Sequence, residues 1–294
     1  MDFKRIEWIF FLAFLGLNMF LFGIYQEGLK EENNVSFSDQ TDSIEKRLGK
    51  DGITYKGTLS GEKMEGYYLS GEQTNFYDAI QKERETRDRN FFKNGIEMID
   101  NSLTVYPQMN YAQTSYFIDE KNTRKSLEAF LNDKDSVLFG NEYHYLPNFS
   151  SLEGEFPEAI VSQSYKNIPF KDDTAQISLK LEKSDETDGI HKIYKYTQTH
   201  IQGIEELRDK MDLFSERDAI ETLYINNKIP SNSKINFIEL AYTRIYKIRE
   251  KNVYVPVWFV GIKSSESNLQ IEQVNAMSNT IITNNTVPKV ENHS

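Results

Sequence analysis

"INFIELAYTRIYKIREKNVYVPVWFVGIK" (Ile235–Lys263) sets the fold class of this chain. Two runs rich in β-branched and aromatic residues, Ile235–Ile248 and Asn252–Lys263, flank a short charged break, and such residues fit a pleated, packed surface. Within "VYVPVWFV" (Val253–Val260) apolar side chains occupy both parities, which predicts a strand covered on both faces. Pro256 has no N–H for a ladder bond, so it belongs at an edge or a bulge. Trp258 reads as core rather than as the wall of a ligand groove. "LQIEQVNAM" (Leu269–Met277) supplies a further strand.

Working back toward the N-terminus, Ser215 with Asp218 approximates a capping box. It opens a helix whose apolar stripe is Ala219, Ile220, Leu223 and Tyr224. "AQISLKLE" (Ala175–Glu182) alternates as a half-buried strand, and "IHKIYKYTQTHI" (Ile190–Ile201) reads as one long strand. The first half repeats this order. Gly95–Pro107, Ala112–Asp119 and Ser136–Pro147 read as strands, and "NTRKSLEAFLN" reads as a helix capped by Asn122 or Thr123. "YDAIQKERETRDRN" (Tyr77–Asn90) is a solvated loop or helix face, and "SIEKRLGK" (Ser43–Lys50) one or two helical turns. The tetrapeptide LSGE, at Leu59–Glu62 and Leu69–Glu72, is read as turn chemistry in consecutive hairpins. Together these elements predict an α+β protein with two modules, residues 43–150 and 151–283. Each is expected to be a mainly antiparallel sheet with a packed helix. A polar stalk (26–42) precedes them and a disordered polar tail (284–294) follows.

One segment stands apart. "WIFFLAFLGLNMFLFGIY" (Trp8–Tyr25) carries no charge. At about 1.5 Å per residue it makes roughly 27 Å of helix, close to the hydrocarbon thickness of a bilayer. It is longer than a signal-peptide apolar region, and no small-x-small cleavage pattern follows it. Lys4 and Arg5 precede the run and Glu27, Lys30, Glu31 and Glu32 follow it, so the N-terminus is expected in the cytoplasm. Residues 1–25 are therefore read as a cytoplasmic stub and an uncleaved single-pass anchor in the cell membrane, with the C-terminal bulk extracytoplasmic. On a helical projection Ile9, Ala13, Gly16, Phe20 and Gly23 share one face, where small residues let another backbone approach. Asn18 lies roughly opposite, as an amide that would favour a polar partner on a neighbouring helix. These six residues are the candidate partner-binding positions.

Composition narrows the function. The formal charge of −11 falls outside residues 1–25, where Asp2 and Glu7 offset Lys4 and Arg5. That argues against nucleic acid and against docking on anionic polymers. Without cysteine the chain has neither disulfides nor thiol chemistry. His144, His191, His200 and His293 form no H-E-x-x-H motif and imply no zinc cluster. S-x-x-K occurs at Ser43–Lys46, Ser60–Lys63 and Ser231–Lys234, but S-D-N and K-T-G partners are missing. The acidic pairs Asp172-Asp173 and Glu205-Glu206 read as solvated acids rather than glycosidase carboxylates. No cofactor is implied.

Several segments resemble the YycI family, regulators of the YycG (WalK) sensor histidine kinase of low-GC Gram-positive bacteria. They are the start "MDFKRIEWIFFLAFLGLNMFLF", then "AIVSQSYKNIPF" (Ala159–Phe170), "AIETLYINNKIPSNSKI", "VYVPVWFV" and "VNA". Two places depart from the family pattern. Met277-Ser278-Asn279 stands where a glycine turn is usual, although Asn also takes left-handed geometry, and Leu240–Tyr246 lacks a Gly-Tyr-Tyr. The resemblance implies a non-enzymatic regulator in a two-component system that controls cell-wall metabolism. It also implies a two-module extracytoplasmic fold, and association with the kinase and a YycH-type sister protein through transmembrane helices. The rival readings are a peptide- or glycan-binding module and a cell-wall hydrolase.

Overall fold

A computed structural model describes residues 8, 11, 14–19, 21–22, 42–86, 95–107, 116–134, 136–183, 189–264, 269–283 and 289–290. Two compact units divide the chain, residues 1–47 and 48–294.

In the first unit residues 14–19 are helical and exposed. Phe14 (66% exposed), Leu17 and Met19 (72%) have no cover from the chain. Among the described residues no helix is long and apolar enough to cross a membrane. Helix α1 (Ile44–Lys50) carries the chain into the second unit.

The second unit is α+β and rich in sheet. Its strands in chain order are β1 (Thr54–Tyr55), β2 (Glu65–Gly66), β3 (Leu69–Gln73), β4 (Gly95–Ile99), β5 (Ser102–Tyr106) and β6 (Phe117–Asp119). Next come β7 (Tyr143–Tyr145), β8 (Glu158–Tyr165), β9 (Ile168–Pro169), β10 (Gln176–Lys183), β11 (Ile190–Gln198) and β12 (Ile201–Glu206). The last are β13 (Met211–Asp212), β14 (Lys234–Ile248), β15 (Lys251–Lys263), β16 (Gln270–Asn275), β17 (Thr280–Ile281) and β18 (Lys289–Val290). Helices α2 (Phe76–Thr86), α3 (Thr123–Leu131) and α4 (Glu216–Ile225) lie between them.

Among the described residues these strands form two large sheets and a small β2–β13 pair. The inner sheet, β4-β5-β11-β10-β8-β7 with β6 and β9, comes from one continuous segment, residues 95–198. The outer sheet is built around the β14–β15 hairpin, with β16 and β17 beyond it, and it also takes in β1 and β3 from the N-terminal side. β3 joins it by pairing with both β12 and β15. The sheets therefore do not follow the two halves of the sequence: the inner sheet is inserted between β3 and β12. Nearly all pairings are antiparallel, while β1 and β18 pair in parallel with the two ends of β14.

Local chemistry explains the elements. Ser215 and Asp218 form the expected reciprocal cap on α4, which buries Ala219, Ile220 and Leu223. α2 and α3 place Phe76, Ile80, Leu127 and Phe130 over Leu179, Ile193 and Tyr196 of the inner sheet. In α3 the Asn122 position makes no side-chain cap; Asp119 instead accepts from Lys121 N. Pro256 pairs with Tyr242 of β14 on one side and sits where the ladder on the other side of β15 is interrupted. Pairing with β3 ends at Tyr254 and pairing with β16 begins at Val257, so the missing N–H leaves no gap to fill. Trp258 is core, and its indole N–H donates to Phe214 O at 2.8 Å. Asn279 takes φ +52° in the turn between β16 and β17, the left-handed geometry a glycine would supply.

Three expectations are corrected. The second LSGE is not a turn but most of β3. There Gly71 is needed because a Cβ would lie 2.4 Å from Ile201 Cγ2. Ser136–Pro147 contributes only three strand residues, Tyr143–Tyr145. Before them Phe139 takes φ +54° and Gly140 packs its α-carbon against the Leu131 carbonyl, which bars an extended path. The run Ile190–Ile201 breaks at Thr199-His200, where the chain passes from the inner to the outer sheet.

Candidate functional site: the joint between the sheets

The chain leaves the outer sheet after Gln73 and returns at Ile201, and the two crossings lie side by side. Thr74 N donates to His200 O at 2.9 Å. Thr74 Oγ1 lies 2.6 Å from His200 Nδ1, and His200 Nε2 lies 3.0 Å from Glu142 Oε2. With a carboxylate facing Nε2, the neutral ring is assigned its proton there and accepts the Thr74 hydroxyl at Nδ1. Gln163 completes the network. Its amide donates to Glu142 Oε2 and to Ile201 O, both at 3.0 Å, and accepts from Ile201 N at 2.7 Å. The Phe139 ring stacks on His200, centroids 4.2 Å apart. The His200 hydrogen bond, with help from Gln163, holds the Glu142 carboxyl below its ordinary range.

A hydroxyl, an imidazole and a carboxylate in this order have the sequence of a nucleophilic relay. Here Thr74 and His200 are buried, so no substrate carbonyl reaches the hydroxyl. The chain of bonds instead fixes the two crossings to one another, because a buried polar group left unpaired is costly.

A second set of contacts holds the far side of the sheets together. The two-residue turn Lys166-Asn167, both at positive φ, reverses β8 into β9. The segment after β9 then lies along the open edge of β14: Phe170 bridges to Tyr242, and Lys171 N donates to Tyr242 O at 2.7 Å. Asp172 accepts from Thr174 N (2.8 Å) and from Arg244 N (2.7 Å), and Thr174 Oγ1 lies 2.9 Å from Tyr254 OH. Loss of solvent pushes the Asp172 carboxyl up, against the pull of these bonds. Tyr242, desolvated beside them, is pushed up to about 12. At the turn tip Lys166 lies over the Tyr67 ring at 4.0 Å and pairs with Glu206 at 2.5 Å, which raises its own pKa.

The acidic pairs noted in the sequence are thus in use as structural partners. Glu205 meets Lys251 at 3.0 Å, Glu206 meets Lys166, and Asp173 meets Arg244 at 3.1 Å. Ser60 Oγ accepts from Glu62 N within a local turn. His191, buried like His200, faces a glutamate of its own, Glu120, at 2.6 Å. Among the described residues no three His, Asp or Glu side chains gather as metal ligands. Of the candidate partner-binding positions, Gly16 and Asn18 lie in the exposed helical stretch, and a Cβ on Gly16 would meet nothing within 4 Å. Ile9, Ala13, Phe20 and Gly23 lie outside the described residues. Sequence reasoning passed over Thr74, Glu142 and Gln163, because each finds its partner more than 20 residues away. Gln163 and Lys166 do fall in "SQSYKNIPF", one of the segments that carried the resemblance.

No curated protein matches the chain. Among solved structures, that of an uncharacterized protein from Eubacterium rectale ATCC 33656 is similar at 10% identity, covering 79% of this chain and 89% of that one with a TM-score of 0.38. The YycI protein family matches residues 31–277, most of the chain. The chain therefore belongs to the YycI family, regulatory proteins of the YycG kinase system.

Proposed function

We propose that the protein is a membrane-anchored, non-enzymatic regulator of a cell-wall-sensing histidine kinase of the YycG type. Trp8–Tyr25 holds it in the cell membrane with the N-terminus inside and the sheet-rich unit outside. The same helix touches the kinase and a YycH-like sister protein, through the Ala13–Gly16–Gly23 face and through Asn18. The observation that carries this reading is the uncharged run itself, present in a chain of a kinase-regulator family. Its helical residues 14–19 expose apolar side chains that water does not favour. The extracellular unit then serves as a rigid body, with Glu142, Asp172 and His200 engaged in holding the two sheets together.

Two measurements test it. Protease added to intact protoplasts should digest the sheet-rich unit, and the mature chain should begin at Met1 or Asp2; a mature N-terminus near Gln26 contradicts the anchor. Full-length chain purified from membranes should bring the kinase with it. A chain that inserts normally yet captures no kinase removes the reading.

A further inference from the structure

α2 and α3 pack on the face of the inner sheet that carries Leu179 and Leu181, so Lys180 and Glu182 stand on the opposite face. A half-open cavity of about 680 Å³ lies there, at the end of β10. It is bounded by the loop Gly154–Pro157, by Lys180–Lys183 of β10 and by Tyr194 of β11. Its volume falls within the range of small-molecule sites.

Two features mark the cavity as built rather than left over. The loop is closed at its base, where Ser151 and Glu158 exchange backbone bonds of 2.8 and 2.6 Å. Pro157 O accepts from Leu181 N at 3.0 Å, which ties the loop to β10. This loop presents Phe156 to solvent, 81% exposed. On the other side, Tyr194 is the extra residue where the β10–β11 register shifts between Lys180↔Lys195 and Leu181↔Ile193. A bulge of this kind re-aims a side chain, and Tyr194 is 44% exposed. The two ring-bearing segments thus flank β10, roughly 10 Å apart at about 4.8 Å per strand. Among the described residues neither ring is stacked or hydrogen-bonded within the chain.

Charged side chains share the cavity with the rings. Glu182 and Lys183 line it, as does Lys180, which also pairs with Glu158 at 2.9 Å. Acids interspersed with the lysines give a polyanion no advantage. An apolar surface would bury these charges unpaired, and Lys and Glu are depleted at protein interfaces. A sugar ring meets both demands. Its C–H face lies on an aromatic ring, while the hydroxyls around its edge donate to a carboxylate and accept from an ammonium.

We propose that this cavity binds a neutral, extended oligosaccharide, with sugar rings stacked on Phe156 and Tyr194 and their hydroxyls bonded to Glu182 and Lys183. Rings on either side of β10 suit a β-1,4-linked chain, whose equatorial links keep it straight. Beyond Tyr194 the same face continues with Lys195, which lies over the Tyr106 ring at 5.4 Å, and with the Thr104–Thr197 hydroxyl pair at 3.2 Å. A longer glycan would run onto these groups. The site uses none of the membrane helix, so it and the kinase reading fail separately.

The test is calorimetric titration of full-length chain in detergent with cellotetraose and chitotetraose, both β-1,4-linked, and with α-1,4-linked maltotetraose. We expect at least one β-linked probe to bind saturably, with Kd in the range of about 0.1–1 mM, and maltotetraose at least roughly tenfold more weakly. Phe156→Ala and Tyr194→Ala should each weaken binding about tenfold, whereas Tyr194→Phe keeps the stacking ring and should bind like wild type. Both side chains are exposed, so the fold is retained, as thermal unfolding will verify. Phe156→Ala should also leave capture of the kinase from membranes at the wild-type level. Failure of both β-linked probes to bind at any attainable concentration would overturn the proposal, as would alanine variants that bind like wild type. Loss of kinase capture in Phe156→Ala without any glycan binding would assign the face to a protein partner instead.

Discussion

The same residue types meet opposite fates in the two units of this chain. In the sheet-rich unit Phe76, Phe130, Phe170 and Tyr196 are at most 2% exposed, whereas in the N-terminal stretch Phe11, Phe14 and Phe22 are 58–66% exposed. The sheets bring their own cover, because α2, α3 and α4 fold back on them. The N-terminal helical residues have none from the chain, and apolar area left in water costs about 25 cal/mol per Å². Among the described residues, buried apolar surface is thus concentrated in one unit and uncovered apolar surface in the other.

The largest expected effect comes from uncovering the sheets. Phe130→Ala removes a ring that contacts Tyr116 and Tyr196 edge-on and should cost about 3–5 kcal/mol of unfolding free energy. Hydrogen exchange should rise first across residues 95–198, while Phe14→Ala should leave the unfolding midpoint of the sheet-rich unit unchanged. Equal losses from both substitutions would break the comparison.

A smaller loss is expected at the joint. His200→Ala leaves Thr74 and Glu142 without their shared partner and should cost about 1–3 kcal/mol. It should speed exchange at both crossings rather than in one sheet, which denaturant titration with hydrogen exchange will show.

Two carboxylates at the contacts between the sheets should respond to pH in opposite senses. The Glu142 pKa is depressed in the fold, so its contribution is present above the unfolded value of about 4.3 and is lost as pH falls through the folded one. The destabilisation caused by Glu142→Gln should therefore shrink in acid. The Asp172 pKa is raised, so its contribution is complete below about 3.9 and is lost as pH rises through the folded value. Asp172→Asn should then be best tolerated at neutral pH and above. Stability curves against pH for the two variants with parallel slopes would refute this assignment.

The smallest effect belongs to the exposed clasp at the β8–β9 turn. Lys166→Ala removes a solvent-screened pair with Glu206 and should shift the midpoint least of all, and less still in high salt. A shift as large as that of His200→Ala would mean that the clasp, not the joint, holds the sheets.

Much of this was legible in the sequence, and the limits have a physical cause. The Ser215–Asp218 cap, the β14–β15 hairpin and the place of Pro256 follow from local patterning, because each is decided within a few residues. The inserted order of the sheets was not legible. β3 is five residues long, carries two serine or glycine positions, and owes its strand conformation to Ile201 and Asn252, over 120 residues away. His191 and His200 both fall in the run Ile190–Ile201 that reads as one strand. Only the pairing of Thr74 with His200 shows that the chain changes sheets between them. Gly16 and Asn18 were readable as candidates from the helical projection, and a partner proposed on another chain is one that no local pattern can identify.

The central claim is that Trp8–Tyr25 carries the contact with the kinase, and it is tested most directly by capture from membranes. Gly16→Leu fills the face proposed for close backbone approach and Asn18→Leu removes the amide, and both raise apolarity, so insertion is preserved. With membrane abundance matched to wild type and to the control Leu15→Ile, both variants should recover less kinase and less sister protein. A chain truncated soon after Lys30 should still recover some. Wild-type recovery by both variants, with none by the isolated helix, would contradict the account and move the contact to the sheets.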